Sequence, residues 1–298
     1  MLADDILGMC SADLARPVLI AGPTASGKSS LALQIAQADG RPVINADAIQ
    51  VYENWRVLTA RPSAADEATA RHMLYGHVAG DQLYSVGTWL REVAPLLSLS
   101  PAPVLVGGTG LYFAALTAGL ADIPDTPARI RDIAKARLDA GDLADMVAEL
   151  DEDTRTRLDT QNPMRVQRAW EVLQTTGHGL AHWQDKTAQP ILPLSHATAV
   201  VIDAPKAWLT PRIEARFDQM LEGGALDEAR ANLPTWSPDH PSSKAIGASE
   251  LIAVVSGTLD QGEARERATI ATRQYAKRQR SWFRARMTGW MGVYAPNL

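Results

Sequence analysis

The sequence predicts an α/β protein, in which a parallel sheet is covered by helices, with an inserted all-helical second domain and a helical C-terminal region. Three observations carry this prediction. Four short apolar runs are mostly followed by helical patterns, a glycine-rich loop directly follows the first run, and a long stretch between the third and fourth runs contains no strand pattern. Continuous apolar runs alternating with helices are typical of parallel strands that are buried on both faces.

The four apolar runs are the predicted strands. They are PVLIAG at 17–22, PVINAD at 42–47, PVLVGG at 103–108 and AVVIDA at 199–204. Each run ends in Gly, Ala or Asp. In open parallel sheets ligands bind beyond the carboxyl ends of the strands, so the residues that follow these runs are the candidate site.

The stretch between the third and fourth runs is predicted to be helical. Its clearest helical patterns lie at 127–141, 142–150 and 162–177, and Gly177 is a predicted C-terminal stop. The predicted organisation is therefore a core in two parts, 1–122 and 196–298, with a helical insertion domain at 123–195.

Composition narrows the class of protein. The chain of 298 residues is 46% apolar, which is enough for a large core, and no apolar run approaches the ~18 residues of a membrane span. The single cysteine, Cys10, cannot form an internal disulfide and lies in an acidic N-terminal stretch that is expected to fray. His178 and His182 are four residues apart but lack a carboxylate or thiol cluster, so no zinc site is expected. We expect a cytoplasmic monomer that has no membrane partner.

The charge of the chain is unevenly distributed. Residues 265–286 contain eight Lys or Arg and one Glu, a net charge of +7, whereas the whole chain carries −5 and the remainder therefore −12. A basic segment on an acidic protein indicates a local surface for a polyanion.

Residues 22–29, GPTASGKS, fit the phosphate-binding pattern G-x-x-x-x-G-K-[ST] between a predicted strand and a predicted helix. Backbone N–H groups and the helix N-terminus favour phosphate oxygens there, Lys28 adds a positive charge, and Ser29 is a candidate ligand of Mg²⁺. The motif predicts a P-loop fold and a diphosphate or triphosphate ligand. The predicted diphosphate-binding residues are Gly22, Pro23, Thr24, Ala25, Ser26, Gly27, Lys28 and Ser29.

Asp47 is the strand-end acid near this loop. The usual ATPase pattern has an acidic residue at a second strand end, but PVLVGG ends in glycines instead. Asp47 can accept a proton either from an acceptor hydroxyl, as in a kinase, or from a different nucleophile.

Five sequence blocks, in order between Pro17 and Arg284, resemble those of the bacterial tRNA dimethylallyltransferases. They are GPTASGKS, NADAIQVY, LTARPS, VGGTGLY and RQYAKRQRSWFR. That family transfers a dimethylallyl group from its diphosphate to N6 of the adenine just 3′ of the anticodon, tRNA position 37. The resemblance implies that the loop binds dimethylallyl diphosphate with Mg²⁺, and that the partner is a tRNA anticodon stem-loop.

The resemblance also implies catalytic roles. Asp47 matches the general base, Thr24 a residue near the bridging oxygen of the donor, and Arg216 an arginine that reaches the diphosphate. Two residues depart from the family pattern, Ala48 in place of Ser and Leu58 in place of Gly.

The tRNA contacts that the resemblance implies fall in six parts of the chain. They are Asp47, Ala48, Ile49 and Gln50; Thr109; Arg131; Met164, Arg165, Val166, Gln167 and Arg168; Lys244, Ala245, Ile246, Gly247, Ala248 and Ser249; and Lys277, Arg278, Gln279, Arg280, Ser281, Trp282, Phe283 and Arg284. By residue type alone, a tryptophan such as Trp282 more often lies in the core than in a stacking site, and a run of Lys and Arg on a helix is usually a solvated face.

Three other functions remain open at this point. A small-molecule kinase explains the loop and Asp47 but not the helical insertion or the basic segment. An isopentenyltransferase acting on free adenine nucleotides does not need the basic segment. A non-catalytic RNA-binding module needs neither the loop nor Asp47.

Overall fold

In a computed structural model, which describes residues 3–298, a single parallel sheet has the strand order β3-β2-β4-β1-β5-β6. The strands are β1 (Val18–Ala21), β2 (Val43–Asn45), β3 (His72–Met73), β4 (Val104–Gly107), β5 (Thr198–Asp203) and β6 (Met291–Tyr294). All neighbouring pairs in this sheet are parallel. The predicted parallel sheet is confirmed, and β1, β2, β4 and β5 lie in the four predicted runs.

The described residues form fourteen α-helices. They are α1 (Ala3–Ser11), α2 (Lys28–Asp39), α3 (Ala64–Thr69), α4 (Val86–Val93), α5 (Gly110–Ala118), α6 (Ala128–Asp139), α7 (Leu143–Ala148), α8 (Glu152–Arg157), α9 (Pro163–Thr176), α10 (Leu180–Asp185), α11 (Lys206–Glu222), α12 (Ala225–Asn232), α13 (Ala248–Val255) and α14 (Gln261–Arg286). Within residues 3–298, none of these helices combines the length and apolar character needed to span a bilayer.

The register of the sheet brings three loops to one edge. Val18 pairs with Val104, which also pairs with Val43, so β4 lies between β1 and β2. The chain segments that follow Ala21, Asn45 and Gly107 therefore leave the sheet at neighbouring positions. The phosphate loop and Asp47 belong to two of these segments, as the apolar runs predict.

The two strands at the sheet edges, β3 and β6, were not predicted. The C-terminal region after the fourth run is predicted to be helical, which is wrong for Met291–Tyr294. Only Val293 of this strand is buried, and β3 is two residues long. Neither segment carries the continuous apolar run that marks the central strands.

The described chain divides into two compact units. One contains the sheet and comprises residues up to Thr117 and Leu192–Leu298, and the other is Ala118–Ile191. The second unit contains only helices, where a helical insertion was placed at 123–195. Its core packs α6, α7 and α9 around Met146, Val166 and Trp170. The longest of its helices, α9, ends at Gly177, whose φ of 72° confirms the predicted stop.

The N-terminal stretch is ordered against the sheet unit rather than frayed. Ile6 and Cys10 of α1 are buried in the main core. The fully buried Arg41 fixes this segment: its guanidinium donates to the carbonyl oxygens of Cys10, Asp13, Arg16 and Ala102 and pairs with Asp39. Burial raises the pKa of the Cys10 thiol to about 11, so this cysteine stays protonated at neutral pH.

Replacing Arg41 tests this arrangement. Arg41→Met leaves four buried or part-buried carbonyls without their donor and Asp39 without its cation. We expect a loss of about 3 kcal/mol in the free energy of unfolding, measured by urea denaturation. Arg230→Met removes an exposed arginine that pairs with Asp227 and serves as the control, with a change below about 1 kcal/mol. Equal losses for both variants would contradict the role of Arg41.

Candidate active site

The phosphate loop, Gly22 to Ser29, connects β1 to α2. Two of its residues have left-handed backbones, Ala25 with φ 60° and Gly27 with φ 89°, and α2 begins at Lys28. Left-handed residues next to right-handed ones orient successive N–H groups into one concave space, and the helix N-terminus adds positive potential there. The loop therefore has the backbone geometry of an anion site.

Two cations meet at this loop. Arg216, on α11, donates from Nη1 to Thr24 Oγ1 at 3.2 Å, and Lys28 Nζ lies 3.4 Å from the Pro23 carbonyl oxygen. Burial, together with the positive charge of Arg216, lowers the pKa of Lys28 to about 8, although the negative charge of Asp47 opposes this shift. Burial also lowers the pKa of Arg216. An anion bound between these side chains would relieve both the desolvation and the repulsion.

Asp47 is held in a tight turn after β2. Its N–H donates to Asn45 Oδ1 at 2.8 Å, and its Oδ1 accepts from the Ile49 N–H at 3.1 Å. Asn45 Nδ2 in turn donates to the Asp47 carbonyl oxygen at 3.0 Å. The second carboxylate oxygen, Oδ2, lies over Gly108, where an added Cβ would come within 3.2 Å of it. These contacts fix the carboxylate at the edge of the sheet.

Gly107 and Gly108, at the end of β4, lie so close to neighbouring groups that a side chain would not fit at either position. A Cβ at Gly107 would lie 2.0 Å from the Ala46 carbonyl oxygen, and a Cβ at Gly108 would lie 2.3 Å from Gln279 Nε2. The side chain of Gln279, on α14, accepts from the Thr24 N–H at 2.9 Å and donates to the Gly108 carbonyl oxygen at 2.9 Å. One buried amide thus joins the phosphate loop, the end of β4 and the C-terminal helix.

Thr109 links the two strand ends. Its Oγ1 accepts from the Ala48 N–H at 2.9 Å, and its own N–H donates to the Ala46 carbonyl oxygen at 3.3 Å. Ala48 lacks the hydroxyl expected from the family pattern, but its backbone is anchored by this contact.

These groups share one cavity of about 530 Å³. Its charged part contains Thr24, Lys28, Asp47 and Arg216. The remaining lining comprises Ala48, Ile49, Gln50, Tyr52, Leu58, Thr59, Leu83, Tyr84, Thr109, Ile213, Phe217, Met220, Pro241, Lys244, Ala245, Ile246, Thr272, Tyr275, Arg278 and Gln279. The structure therefore brings the predicted catalytic residues together with four of the six predicted tRNA-contact segments.

Three tyrosines surround Asp47. Burial raises the pKa of Tyr75, Tyr112 and Tyr275, and the negative charge of Asp47 raises each of them further. These phenols stay neutral at physiological pH and cannot serve as bases. Asp47 is the carboxylate of the cavity and its candidate proton acceptor.

The predicted contacts on α14 separate into an exposed and a buried set. Lys277, Arg278, Ser281 and Arg284 are exposed, and Arg280 is half-buried. Trp282 packs on Gly110, where an added Cβ would lie 2.2 Å from its ring, and Phe283 is buried against Trp282. Phe283 is therefore buried, whereas Trp282 is half-buried and packs part of its ring against Gly110.

The Lys244–Ser249 segment also divides. Lys244 and Ser249 are exposed, whereas Ala245, Gly247 and Ala248 are buried. Of the buried residues, Ala245 lines the cavity, whereas Gly247 and Ala248 do not. Gln50 is half-buried, and its amide donates to the carbonyl oxygens of Thr59 and Ala60.

The predicted contacts in the helical unit lie on α6 and α9. Met164 is 68% exposed, Arg165 and Arg168 are exposed, and Gln167 and Arg131 are half-buried. Val166 is fully buried in the core of the unit. Arg168 Nη1 donates to Thr126 Oγ1 at 2.7 Å, so its orientation is fixed within this unit.

Two residues of this region are not among the predicted site residues. Tyr275 lines the cavity and lies in the block RQYAKRQRSWFR, but the predicted contacts in that block begin only at Lys277. Glu228, on α12, accepts the backbone N–H groups of Arg56, Val57 and Leu58, the last two at 3.0 and 2.9 Å. It anchors a loop 170 residues distant in the chain, a contact that sequence spacing does not indicate.

The oxygen ligands available at the phosphate loop are compatible with Mg²⁺. Ser29 is exposed at the first turn of α2 and lines a second cavity with Lys28, Arg212 and Arg216. Among the described residues there is no cluster of three His, Cys, Asp or Glu side chains that could hold a metal ion alone. Mg²⁺ is commonly bound by one or two protein oxygens together with phosphate oxygens and water, and a hydroxyl beside a phosphate site fits that pattern.

Comparison with known proteins identifies the family. A family model described as IPP transferase matches residues 50–286, and one described as isopentenyl transferase matches 16–77. A tRNA dimethylallyltransferase of Cereibacter sphaeroides is 60% identical over 281 residues, covering 94% of this chain and 90% of that protein. One of Dinoroseobacter shibae is 60% identical over 290 residues, covering 96% and 97%. The crystal structure of a eukaryotic dimethylallyltransferase acting on tRNA matches with a TM-score of 0.77 and 25% identity, covering 94% of this chain and 74% of that one. The resemblance in the sequence is confirmed.

The lowered pKa of Lys28 predicts a pH-dependent anion site. With a pKa of about 8, Lys28 is mostly protonated at pH 7 and mostly neutral at pH 9. A bound anion favours the protonated form, so binding takes up a proton and weakens as the pH rises. We expect the affinity for inorganic diphosphate, measured by titration calorimetry, to fall between pH 7 and 9 by roughly tenfold more than the ligand's own ionisation causes.

Lys28→Met supplies the control for that titration. This variant lacks the titrating group, so its affinity, lower at pH 7, should show only the pH dependence of the ligand itself. An identical pH dependence in the two proteins would show that Lys28 does not contact the diphosphate.

Proposed function

The chain belongs to the IPP transferase family, and we propose that it transfers a dimethylallyl group from dimethylallyl diphosphate to N6 of the adenine at tRNA position 37, releasing diphosphate. The observation that carries the proposal is the shared cavity, in which the cationic phosphate loop and the carboxylate of Asp47 face one space. An anionic leaving group and a weakly basic acceptor need those two kinds of group at opposite sides of the reacting carbon.

The donor binds by its diphosphate. Loop N–H groups, Lys28 and Arg216 hold the phosphate oxygens, and Thr24 Oγ1, beside Arg216, lies where it can donate to the bridging oxygen. When the C1–O bond breaks, both bonding electrons leave with the diphosphate, whose added negative charge these groups stabilise. Ser29 would hold Mg²⁺, which supplies further charge neutralisation for the leaving group.

The acceptor amine forms the new bond. The lone pair of N6 attacks C1, and one N6 proton passes to Asp47, so that the product amine is neutral. Asp47 is positioned for this by the Ile49 N–H, which occupies Oδ1, while Oδ2 lies over Gly108. The tyrosines around Asp47 stay protonated and do not compete for the proton.

The tRNA binds over the exposed lysines and arginines of the sheet unit. Arg278 and Lys244 line the cavity itself, and Lys277 and Arg284 are exposed on the same helix as Arg278. Phosphate contacts to these side chains place the anticodon stem-loop, and the target adenine leaves its stack to enter the cavity. We propose the exposed Met164, Arg165 and Arg168 of the helical unit as further contacts.

Specific observations disfavour the other functions. A non-catalytic RNA-binding module does not need an intact phosphate loop bonded to a buried glutamine. An enzyme for free adenine nucleotides does not need the net charge of +7 in 265–286. A small-molecule kinase does not need an apolar wall of Leu58, Phe217 and Met220 beside its phosphate site.

Removing the proposed base tests the function directly. With radiolabelled dimethylallyl diphosphate and Mg²⁺, the protein should label unmodified tRNA and an anticodon hairpin but not AMP. Asp47→Asn should lower the single-turnover rate by roughly 10²–10⁴-fold, because proton transfer to a positioned base is lost.

The matched control for the base is Asp203→Asn. Asp203 also ends a strand, β5, but it is exposed and does not line the cavity. The Asp203→Asn variant should transfer the dimethylallyl group at the rate of the unaltered protein. Label in AMP alone would assign the chain to free nucleotides, and ATP consumption without label would assign it to kinase chemistry.

The exposed cations of α14 have a separate test. Lys277→Ala and Arg284→Ala should each weaken hairpin binding and reduce the slope of log Kd against log salt concentration by roughly 0.9, the value for one lost phosphate contact to duplex, or by roughly 0.7 for single strands. Fluorescence anisotropy of a labelled hairpin measures both quantities. Arg267→Ala is the control on the same helix, since Arg267 already pairs with Glu263. An unchanged slope in the two test variants would place the tRNA elsewhere.

A further inference from the structure

We propose that Leu58 and Phe217 close the donor end of the cavity and restrict the donor to a single five-carbon unit. This inference rests on the proposed function and adds a determinant of donor length. Both side chains line the cavity and are only 5% exposed. They belong to an apolar cluster that includes Trp55, Ala245 and Leu251.

Helix α11 lines the cavity, and its residues lie at increasing distances from the phosphate loop. Ile213, Arg216, Phe217 and Met220 all line the cavity, as residues three or four apart on one helix face do. Arg216 contacts Thr24 of the phosphate loop. Met220 lies four residues further, and a rise of about 1.5 Å per residue places it roughly 6 Å beyond Arg216 along the helix.

This spacing matches the chemistry of a short donor. The diphosphate must bind at Arg216 and Lys28, and its hydrocarbon tail avoids the charged side chains. On the C-terminal side of Arg216, the apolar surface that α11 offers to the tail consists of Phe217 and Met220, about one helical turn of 5.4 Å. A second isoprene unit would have to extend past this turn.

Leu58 and Phe217 both lie close to Gly247. Gly247, with φ 95°, lies between the two side chains: an added Cβ would come within 3.1 Å of both Leu58 Cδ1 and Phe217 Cε2. Leu58 and Phe217 therefore pack against the same small backbone site. A longer tail could enter only if one of these side chains moved or were shortened.

The loop that carries Leu58 is held from two sides. Glu228 accepts the N–H groups of Arg56, Val57 and Leu58 itself. The amide of Gln50 donates to the Thr59 and Ala60 carbonyl oxygens, at 2.9 and 3.0 Å. These bonds oppose displacement of the loop, so the end of the cavity is a fixed boundary.

The experiment compares donors of two lengths. Dimethylallyl diphosphate and geranyl diphosphate compete for an anticodon hairpin, and the two products are separated by mass. With either donor C1–O breaks, C1–N6 forms, one proton leaves N6 and diphosphate is released. The unaltered protein should use the five-carbon donor almost alone, whereas Leu58→Ala should raise the geranyl-to-dimethylallyl ratio of kcat/KM at least tenfold.

Leu221→Ala is the matched control. Leu221 packs in the same apolar cluster and loses the same atoms, but it does not line the cavity. Its donor ratio should equal that of the unaltered protein, because a ratio of two kcat/KM values does not change with the folded fraction. Leu58→Val, a smaller truncation, should shift the ratio less and in the same direction, and it serves if Leu58→Ala does not fold.

Three results would overturn the proposal: equal use of both donors by the unaltered protein, an unchanged ratio in both Leu58 variants, or equal shifts in Leu58→Ala and Leu221→Ala. Titration calorimetry with geranyl diphosphate alone separates this inference from the proposed function. If no donor is transferred to the hairpin, the function fails, yet tighter binding of geranyl diphosphate by Leu58→Ala than by Leu221→Ala still supports the wall. Equal binding of geranyl diphosphate by the two variants would reject the proposal.

Discussion

The site depends on one buried amide. Gln279 accepts the Thr24 N–H and donates to the Gly108 carbonyl oxygen, so a single side chain joins the phosphate loop, β4 and α14. Without Gln279, the Thr24 N–H and the Gly108 carbonyl oxygen would each lose a hydrogen-bond partner. An unpaired polar group inside a protein costs more free energy than an exposed hydrogen bond contributes. Because Gln279 is buried and Lys277 is exposed on the same helix, α14 connects the proposed tRNA-binding surface directly to the phosphate loop.

The charges of the cavity favour an anionic ligand. Burial disfavours the charged forms of both Lys28 and Arg216. The positive charge of Arg216 further disfavours the charged form of Lys28. The negative charge of Asp47 offsets these effects only in part. A diphosphate with its metal ion would neutralise the cations and leave the Asp47 carboxylate to the acceptor amine. The same electrostatics thus serve donor binding first and proton transfer afterwards.

Local pattern was enough to predict the central strands, the phosphate loop and Asp47. These features depend on short segments, such as continuous apolar runs and a glycine-rich turn before a helix. The residues that close the cavity depend on distant pairs instead: Glu228 binds a loop 170 residues away, and Gln279 binds Thr24 from 255 residues away. No periodicity reports such contacts. Phe283 shows the same limit, since it lies in the basic run of α14 and yet is buried by packing that the local pattern does not report.

The order of the strands explains why the base lies where it does. Asp47 follows β2, which is separated from β1 and its phosphate loop by β4. Two strand spacings of about 4.8 Å put the ends of β2 and β1 roughly 10 Å apart, too far for direct contact between a carboxylate and a phosphate. Gly107 and Gly108 end the intervening strand without side chains, so Gln279 and the Asp47 carboxylate can lie over it. The remaining gap accommodates a carbon centre with its entering nitrogen on one side and its leaving oxygen on the other, which is what group transfer between these sites requires. An acidic residue at the end of β4, typical of ATPases, would place its charge inside that gap.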